Sequence, residues 1–179
     1  MNTKFGKINR LFLPNWIVIS GNGRNVGKTW LACRLIEYFS RSVEVNAFKI
    51  SPHFHSLAKG DVDDFFWTTE KKSDTGKDSS KMLKAGASKV FYIESKNKGL
   101  INNIQLLIDL SENKPVICES GGISSLIKPG ILIYIENKEY NDDKLFAGNA
   151  DILLEYYEGK VYFDVCKLKY ENNCWIHTN

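Results

Sequence analysis

A short segment of small and polar residues, Gly-Asn-Gly-Arg-Asn-Val-Gly-Lys-Thr at positions 21–29, lies between an apolar run and an amphipathic one. Positions 16–19 have the composition of a buried strand, and positions 29–40 place their large apolar side chains on one helical face. Glycine permits the sharp turn that must join the two. A strand, a tight turn and a helix in direct succession restrict the chain to folds in which helices pack on a sheet.

The turn has the chemistry of a phosphate-binding P-loop. Backbone N–H groups in such a loop, together with the positive end of the following helix, form a concave anion site. We expect Lys28 to reach the terminal phosphates of a nucleotide and the Thr29 hydroxyl to bind Mg²⁺. The strict motif has a glycine where this chain has Asn22, so the loop is a variant. The residues predicted to contact the nucleotide are Gly23, Arg24, Asn25, Val26, Gly27, Lys28, Thr29 and Trp30.

Strand and helix patterns alternate along the rest of the chain. Strand patterns occupy positions 43–50, 89–94, 115–118 and 131–135, and helical patterns occupy 78–85 and 100–110. This alternation predicts one domain over residues 1–179, with three layers, a mostly parallel sheet and helices on both faces. Positions 152–157 and 160–165 flank Glu158-Gly159 and predict a closing C-terminal β-hairpin rather than another crossover. Positions 51–77 predict a long functional loop.

Ligands of open α/β sheets bind beyond the carboxyl ends of the strands, so polar residues there are the next candidates. Glu119 follows the short apolar strand pattern at 115–118 and precedes Ser120-Gly121-Gly122. A strand-end carboxylate beside a P-loop commonly holds Mg²⁺ or orients an attacking water. We therefore predict Lys28 and Glu119 as catalytic residues, with a polar strand end that faces solvent as the alternative for Glu119.

Composition excludes several function classes. The 179 residues are 43% hydrophobic, enough for one buried core, and a net charge of +3 is too small to indicate nucleic acid. No apolar stretch approaches the ~18 residues of a membrane span, and the first residues lack the pattern of a signal peptide. We expect a cytoplasmic protein without a membrane partner. The four cysteines are scattered, which predicts reduced thiols rather than disulfides or a zinc site.

Several motifs together resemble the molybdopterin-guanine dinucleotide biosynthesis adaptor (MobB) family over roughly residues 15–136. They are Gly27-Lys28-Thr29, Phe48-Lys49 followed by His53 and His55, Gly76-Lys77-Asp78-Ser79-Ser80, Ala85-Gly86-Ala87 and Glu119. The resemblance implies a GTP-binding P-loop protein, often a homodimer, that supports a molybdenum cofactor guanylyltransferase. It also implies that Asp78 joins Thr29 and Glu119 at Mg²⁺. Ile50 and Ser120 depart from the family pattern, which makes the chain a divergent relative.

Two other interpretations remain open at this point. The loop ending Val26-Gly27-Lys28-Thr29 and the segment 119–122 are also similar to dethiobiotin synthetase, which implies an ATP- and Mg²⁺-dependent ligase. The third interpretation is a scaffold with little or no hydrolysis. The chain has no Asn-Lys-x-Asp motif, and its nearest string is Asn-Lys-Glu-Tyr at 137–140, so GTP rests on the resemblance alone.

Two smaller questions concern individual side chains. His53 and His55 alternate along an extended segment, but no third ligand at a metal spacing accompanies them, so a zinc site is a minor alternative. Asp78 begins a helical pattern, and capping of that helix alone would also explain it. The aromatic residues at 65–67 are expected to fold back onto the core or onto a partner subunit, with stacking on a base or a pterin-like ring as the alternative.

Overall fold

The structure, a computed structural model, describes residues 10–53, 65–140 and 147–178. The strands are β1 (Leu11–Gly21), β2 (Asn46–Ser51), β3 (Phe65–Thr69), β4 (Lys89–Ser95), β5 (Val116–Ser120), β6 (Ile127–Glu136), β7 (Ile152–Tyr157), β8 (Lys160–Val161), β9 (Leu168–Glu171) and β10 (Cys174–His177). The α-helices are α1 (Lys28–Phe39), α2 (Asp78–Lys84), α3 (Asn97–Asn102) and α4 (Ile104–Ser111).

Eight strands form one sheet in the order β3-β4-β2-β5-β1-β6-β7-β8. The strands from β4 to β7 run parallel, whereas β3 and β8 add antiparallel edges. Strands β9 and β10 form a separate antiparallel hairpin at the C-terminal end. The predicted α/β class and mostly parallel sheet are confirmed. The antiparallel hairpin predicted around Glu158-Gly159 is present as β7–β8, whereas the hairpin β9–β10 was not predicted.

Apolar side chains cover both faces of the sheet, as a parallel sheet requires. In β1, Ile17 and Ile19 belong to the cluster that also contains the buried face of α1 and Met82 of α2. Val18 points the other way, into the cluster that contains Leu100 and Leu107 of α3 and α4. This alternation follows from the two-residue period of a strand. The helices therefore lie on both faces, and the core consists of two layers separated by the sheet.

The strand order creates a crevice at the carboxyl end of the sheet. The connection after β1 leads through α1 to β2 on one side, whereas the connection after β5 leads to β6 on the other side of β1. Neighbouring loops therefore diverge beyond the ends of β1 and β5. Such a divergence is where open α/β sheets bind their ligands.

Three expectations need correction. The predicted loop at 51–77 contains the edge strand β3, which pairs antiparallel with β4. Strand β7 pairs parallel with β6, so another crossover does precede the short β7–β8 hairpin. The helix expected at 100–110 is divided into α3 and α4 at Asn103, whose side-chain amide donates to the Gly99 carbonyl at 2.9 Å. An asparagine side chain that bonds to a backbone carbonyl of the preceding turn in this way competes with the regular helical pattern.

None of the helices within the described residues has the length and apolar character needed to cross a membrane.

Candidate functional site

The turn between β1 and α1 requires glycine at two places. A Cβ at Gly21 would lie 2.5 Å from the carbonyl oxygen of Ile135 in β6, so no side chain fits there. Gly27 has a φ of 85°, a left-handed conformation that other residues adopt only with strain, and it immediately precedes α1. The glycines at the two ends of the turn thus allow β1 to end tightly against β6 and α1 to begin.

Asn22, which departs from the strict P-loop pattern, anchors the turn. Its side-chain amide donates to the Asn137 carbonyl at 2.8 Å, and its side-chain oxygen accepts from the Asn137 N–H at 2.9 Å. Both asparagines are buried. A reciprocal pair of this kind fixes the loop to the segment that follows β6 and satisfies polar groups that would otherwise be buried without partners.

The backbone of the turn has the features of an anion-binding concavity. Asn25 and Gly27 both have positive φ values, of 59° and 85°. Among the described residues, the N–H groups of positions 23–27 donate no hydrogen bond to a backbone carbonyl. Because backbone N–H groups need acceptors, and because α1 directs its positive end at the same place, phosphate oxygens are suitable partners.

The side chains of the predicted nucleotide-binding segment do not all face the groove. Arg24, Asn25 and Trp30 line it, whereas Val26 is 1% exposed and packs in the core. Val26 can therefore contact a ligand through its backbone only. Lys28 lines the groove and donates from its ammonium to the Gly23 carbonyl, folding back over the loop.

Thr29 and Glu119, predicted separately from sequence, are in direct contact. The Thr29 hydroxyl donates to Glu119 Oε2 at 2.7 Å. Glu119 belongs to β5, which pairs with β1 in parallel register, so its carboxylate emerges beside the first turn of α1. Glu119 is 4% exposed, so the alternative of a strand end that faces solvent is wrong.

Lys49 joins this pair to Asp78. Its ammonium lies 2.5 Å from Glu119 Oε1 and 3.1 Å from Asp78 Oδ2, and Lys81 also contacts Asp78 at 3.1 Å. Asp78 is the first residue of α2, and the N-cap is Lys77, which forms no side-chain capping bond. Asp78 therefore bonds to two lysines instead of acting as the N-cap.

The pKa values of this cluster follow from its charges. Burial by itself would lower the pKa of Lys49, but Glu119 and Asp78 outweigh it and raise that pKa above its ordinary value. Burial would raise the pKa of Asp78, but Lys49 and Lys81 hold it below its ordinary value. Both groups stay charged at neutral pH. An ammonium thus lies between two carboxylates that, with the Thr29 hydroxyl, form the oxygen-rich ligand set that Mg²⁺ prefers.

The sequence alone indicated no separate role for Lys49. Its signals were its place in the Phe48-Lys49 motif and its charge near the carboxyl end of an otherwise apolar strand. The structure places it opposite Glu119 in the register of β2 and β5. His53 lines the same groove and is exposed, whereas His55 lies outside the described residues. Within those residues no group of three histidine, cysteine or acidic side chains is arranged to hold a metal. Any Mg²⁺ there would depend on hydroxyl and phosphate oxygens as well.

Among the described residues, one open groove of about 1400 Å³ along the carboxyl edge of the sheet is lined by Lys28, Thr29, Lys49, Asp78 and Glu119. It extends from the turn before α1, across the ends of β5 and β2, to β4 and β3. Searches of family models, curated proteins and solved structures found no match to this chain. The function must therefore be inferred from the residues of the groove.

Proposed function

We propose that the protein binds a purine nucleoside triphosphate together with Mg²⁺, with GTP favoured, and hydrolyses it slowly. One observation carries the proposal: the hydroxyl of Thr29, at the start of α1, lies 2.7 Å from the carboxylate of Glu119, at the end of the neighbouring strand. In P-loop proteins a hydroxyl and a strand-end acid at these places hold the Mg²⁺ of the nucleotide.

Each residue of the site has a role in this proposal. The N–H groups at 23–27 bind the phosphates, and Lys28 exchanges the Gly23 carbonyl for a terminal phosphate oxygen. Thr29 and Glu119, with Asp78 nearby, hold Mg²⁺, which neutralises charge on the phosphates. Lys49 then leaves at least one of its two carboxylates, because two cations would otherwise compete for the same oxygens.

Slow hydrolysis is favoured by how Glu119 is bonded. One of its oxygens accepts from Thr29 and the other from Lys49. With both oxygens already engaged, Glu119 is poorly placed to accept a proton from an attacking water. The preference for GTP, the homodimer and the role beside a molybdenum cofactor guanylyltransferase are proposals that the motif resemblance alone supports.

Equilibrium titration with fluorescent GTP and ATP analogues tests the proposal. We expect Mg²⁺-dependent binding that Lys28→Ala abolishes and that Lys169→Ala, at an exposed position on β9, leaves unchanged. A preference for ATP would instead favour the ligase-type alternative. Equal binding by Lys28→Ala, with an unchanged circular dichroism spectrum, would rule out the P-loop assignment.

Hydrolysis is tested separately with Glu119→Gln. This variant keeps the size of the side chain and removes its charge, so we expect nucleotide binding with weaker Mg²⁺ dependence and reduced turnover. Unchanged turnover and unchanged Mg²⁺ dependence would limit Glu119 to a structural role.

A further inference from the structure

The groove continues well past the Thr29–Glu119 pair, over the ends of β2, β4 and β3. Ser51, Tyr92, Glu94 and Thr68 line this part. Residues that pair across neighbouring strands lie on the same face of a sheet, and Ser51 pairs with Glu94 while Thr68 pairs with Tyr92. Because Tyr92 and Glu94 are two residues apart in β4, all four side chains lie on one face. Three hydroxyls and one carboxylate thus form a polar floor that the proposed nucleotide function does not use.

Glu94 is the most unusual residue of this floor. It is 0% exposed, yet it lines the groove, and its Oε1 accepts a hydrogen bond from the Tyr92 hydroxyl at 2.9 Å. Burial and the neighbouring carboxylate raise the pKa of Tyr92 to about 12. The hydroxyl therefore stays protonated at neutral pH and keeps donating to Glu94. A buried acceptor of this kind suits a ligand that brings hydroxyl or amino donors.

The rim above the floor is basic. Lys71, Lys72 and Lys77 line the groove on the segment that joins β3 to α2, and none has an ion-pair partner among the described residues. Glu70 accepts from the N–H groups of Lys71 and Lys72 and from the Ser79 hydroxyl, which fixes the turn that carries them. Glu70 also lines the groove and interacts electrostatically with Lys77, but three ammonium groups outnumber this one carboxylate, so the rim attracts an anionic group.

The size of the groove leaves room for two ligands. Its volume of about 1400 Å³ exceeds the roughly 300–1,000 Å³ of a typical small-molecule site. Glu94 and Glu119 lie two strands apart and two residues out of register, which places their Cα atoms roughly 12 Å apart by standard sheet spacings. A second ligand over Glu94 would therefore lie beside a triphosphate held at Thr29 without overlapping it.

We propose that this part of the groove binds a second substrate, a small organic anion that carries hydroxyl or amino groups. Its anionic group contacts Lys71, Lys72 and Lys77, and its donors contact Glu94 and the neighbouring hydroxyls. We name residues 51, 68, 92 and 94 with these three lysines the acceptor subsite. The inference rests on the proposed function only in its assumption that a nucleotide occupies the part of the groove beside Thr29.

Glycerol 3-phosphate, which combines a phosphate with hydroxyls, is a suitable probe. We expect it to shift the NMR amide signals of residues 68, 77, 92 and 94 both in Lys28→Ala, where anion binding at the loop is removed, and in the wild type. Glu94→Gln should weaken this binding about tenfold, as expected for one charge-assisted hydrogen bond. Lys77→Gln should weaken it as well, whereas Lys84→Gln, on α2 outside the groove, should not.

If Glu94→Gln does not fold, Thr68→Val is the alternative variant for this binding test, because Thr68 is exposed and contributes little to the core. It should weaken glycerol 3-phosphate binding and leave inorganic phosphate binding unchanged. Absence of shifts at the subsite, or shifts that neither floor variant alters, would overturn the inference. Nucleotide titrations on the same samples separate the two proposals: binding of nucleotide without glycerol 3-phosphate overturns only the acceptor subsite, and the reverse overturns only the nucleotide proposal.

Discussion

Replacing Lys49 by methionine removes the cation from a largely buried cluster. The side chain of Glu119 is 5% exposed and loses a partner at 2.5 Å, so its carboxylate is left buried with only Thr29 as partner. Breaking a buried ion pair in this way costs about 3–5 kcal/mol. The side chain of Asp78 is 39% exposed and keeps Lys81, so its loss adds less than about 1 kcal/mol. We expect Lys49→Met to lower the free energy of unfolding by about 3–5 kcal/mol.

Urea denaturation at neutral pH measures this change, and a double-mutant cycle identifies its source. In the Glu119→Gln background the unpaired charge is absent, so Lys49→Met should then cost less than about 1.5 kcal/mol. The control Lys81→Met removes an exposed partner of Asp78 and should cost less than about 1 kcal/mol. A loss of less than about 1 kcal/mol for Lys49→Met alone would refute the reasoning.

The pH dependence gives a second check on the same cluster. In the folded protein the pKa of Lys49 lies above its ordinary value of 10.5. The stability that charged Lys49 contributes to the fold is therefore complete below the pKa of the unfolded state and is lost as the pH rises through the pKa of the folded state. In the folded protein the pKa of Asp78 lies below its ordinary value of 3.8. The stability that ionised Asp78 contributes to the fold is therefore complete above pH 3.8 and is lost as the pH falls through the pKa of the folded state. Lys49→Met should remove the alkaline component and reduce the acid one, of which Lys81 retains a part because it still contacts Asp78.

Three further outcomes are expected from the turn and the thiols. Asn22→Ala should lower the free energy of unfolding by about 2 kcal/mol in urea denaturation, because the backbone N–H and carbonyl of Asn137 both lose their bonds to the Asn22 side chain. Gly27→Ala should cost at least about 1 kcal/mol in the same assay, because its φ of 85° is strained for any other residue; an unchanged midpoint would contradict the turn geometry. Iodoacetamide at pH 8 should label exposed Cys166 before Cys33, whose pKa burial raises to about 11, and mass spectrometry measures the order.

Local patterns were sufficient to predict most of the fold. The apolar runs that became β2, β4 and β5, and the one-sided periodicity of α1, are visible in the sequence because each element buries a whole face. The closeness of Thr29 and Glu119 could also be expected from the sequence, since parallel strands bring their carboxyl ends to one edge of the sheet.

The pairing between segments that are distant in sequence could not be predicted from local patterns. Strand β7 alternates buried and exposed residues, and this pattern is the same whether the strand pairs parallel with β6 or only forms a hairpin with β8. The contact of Lys49 with Asp78 depends on how the segment after β3 returns to the sheet, which no local period encodes. The proposed acceptor subsite likewise depends on the pairing of β3 with β4, which no local pattern indicates.

Calorimetric titration of GTP into the wild-type protein, in Mg²⁺ and again in EDTA, tests the central claim most directly. If Thr29 and Glu119 hold the Mg²⁺ of a bound nucleotide, binding should be saturable in Mg²⁺ and weaker by about tenfold or more in EDTA. Absence of binding under both conditions, or binding of equal strength in the two, would contradict the account.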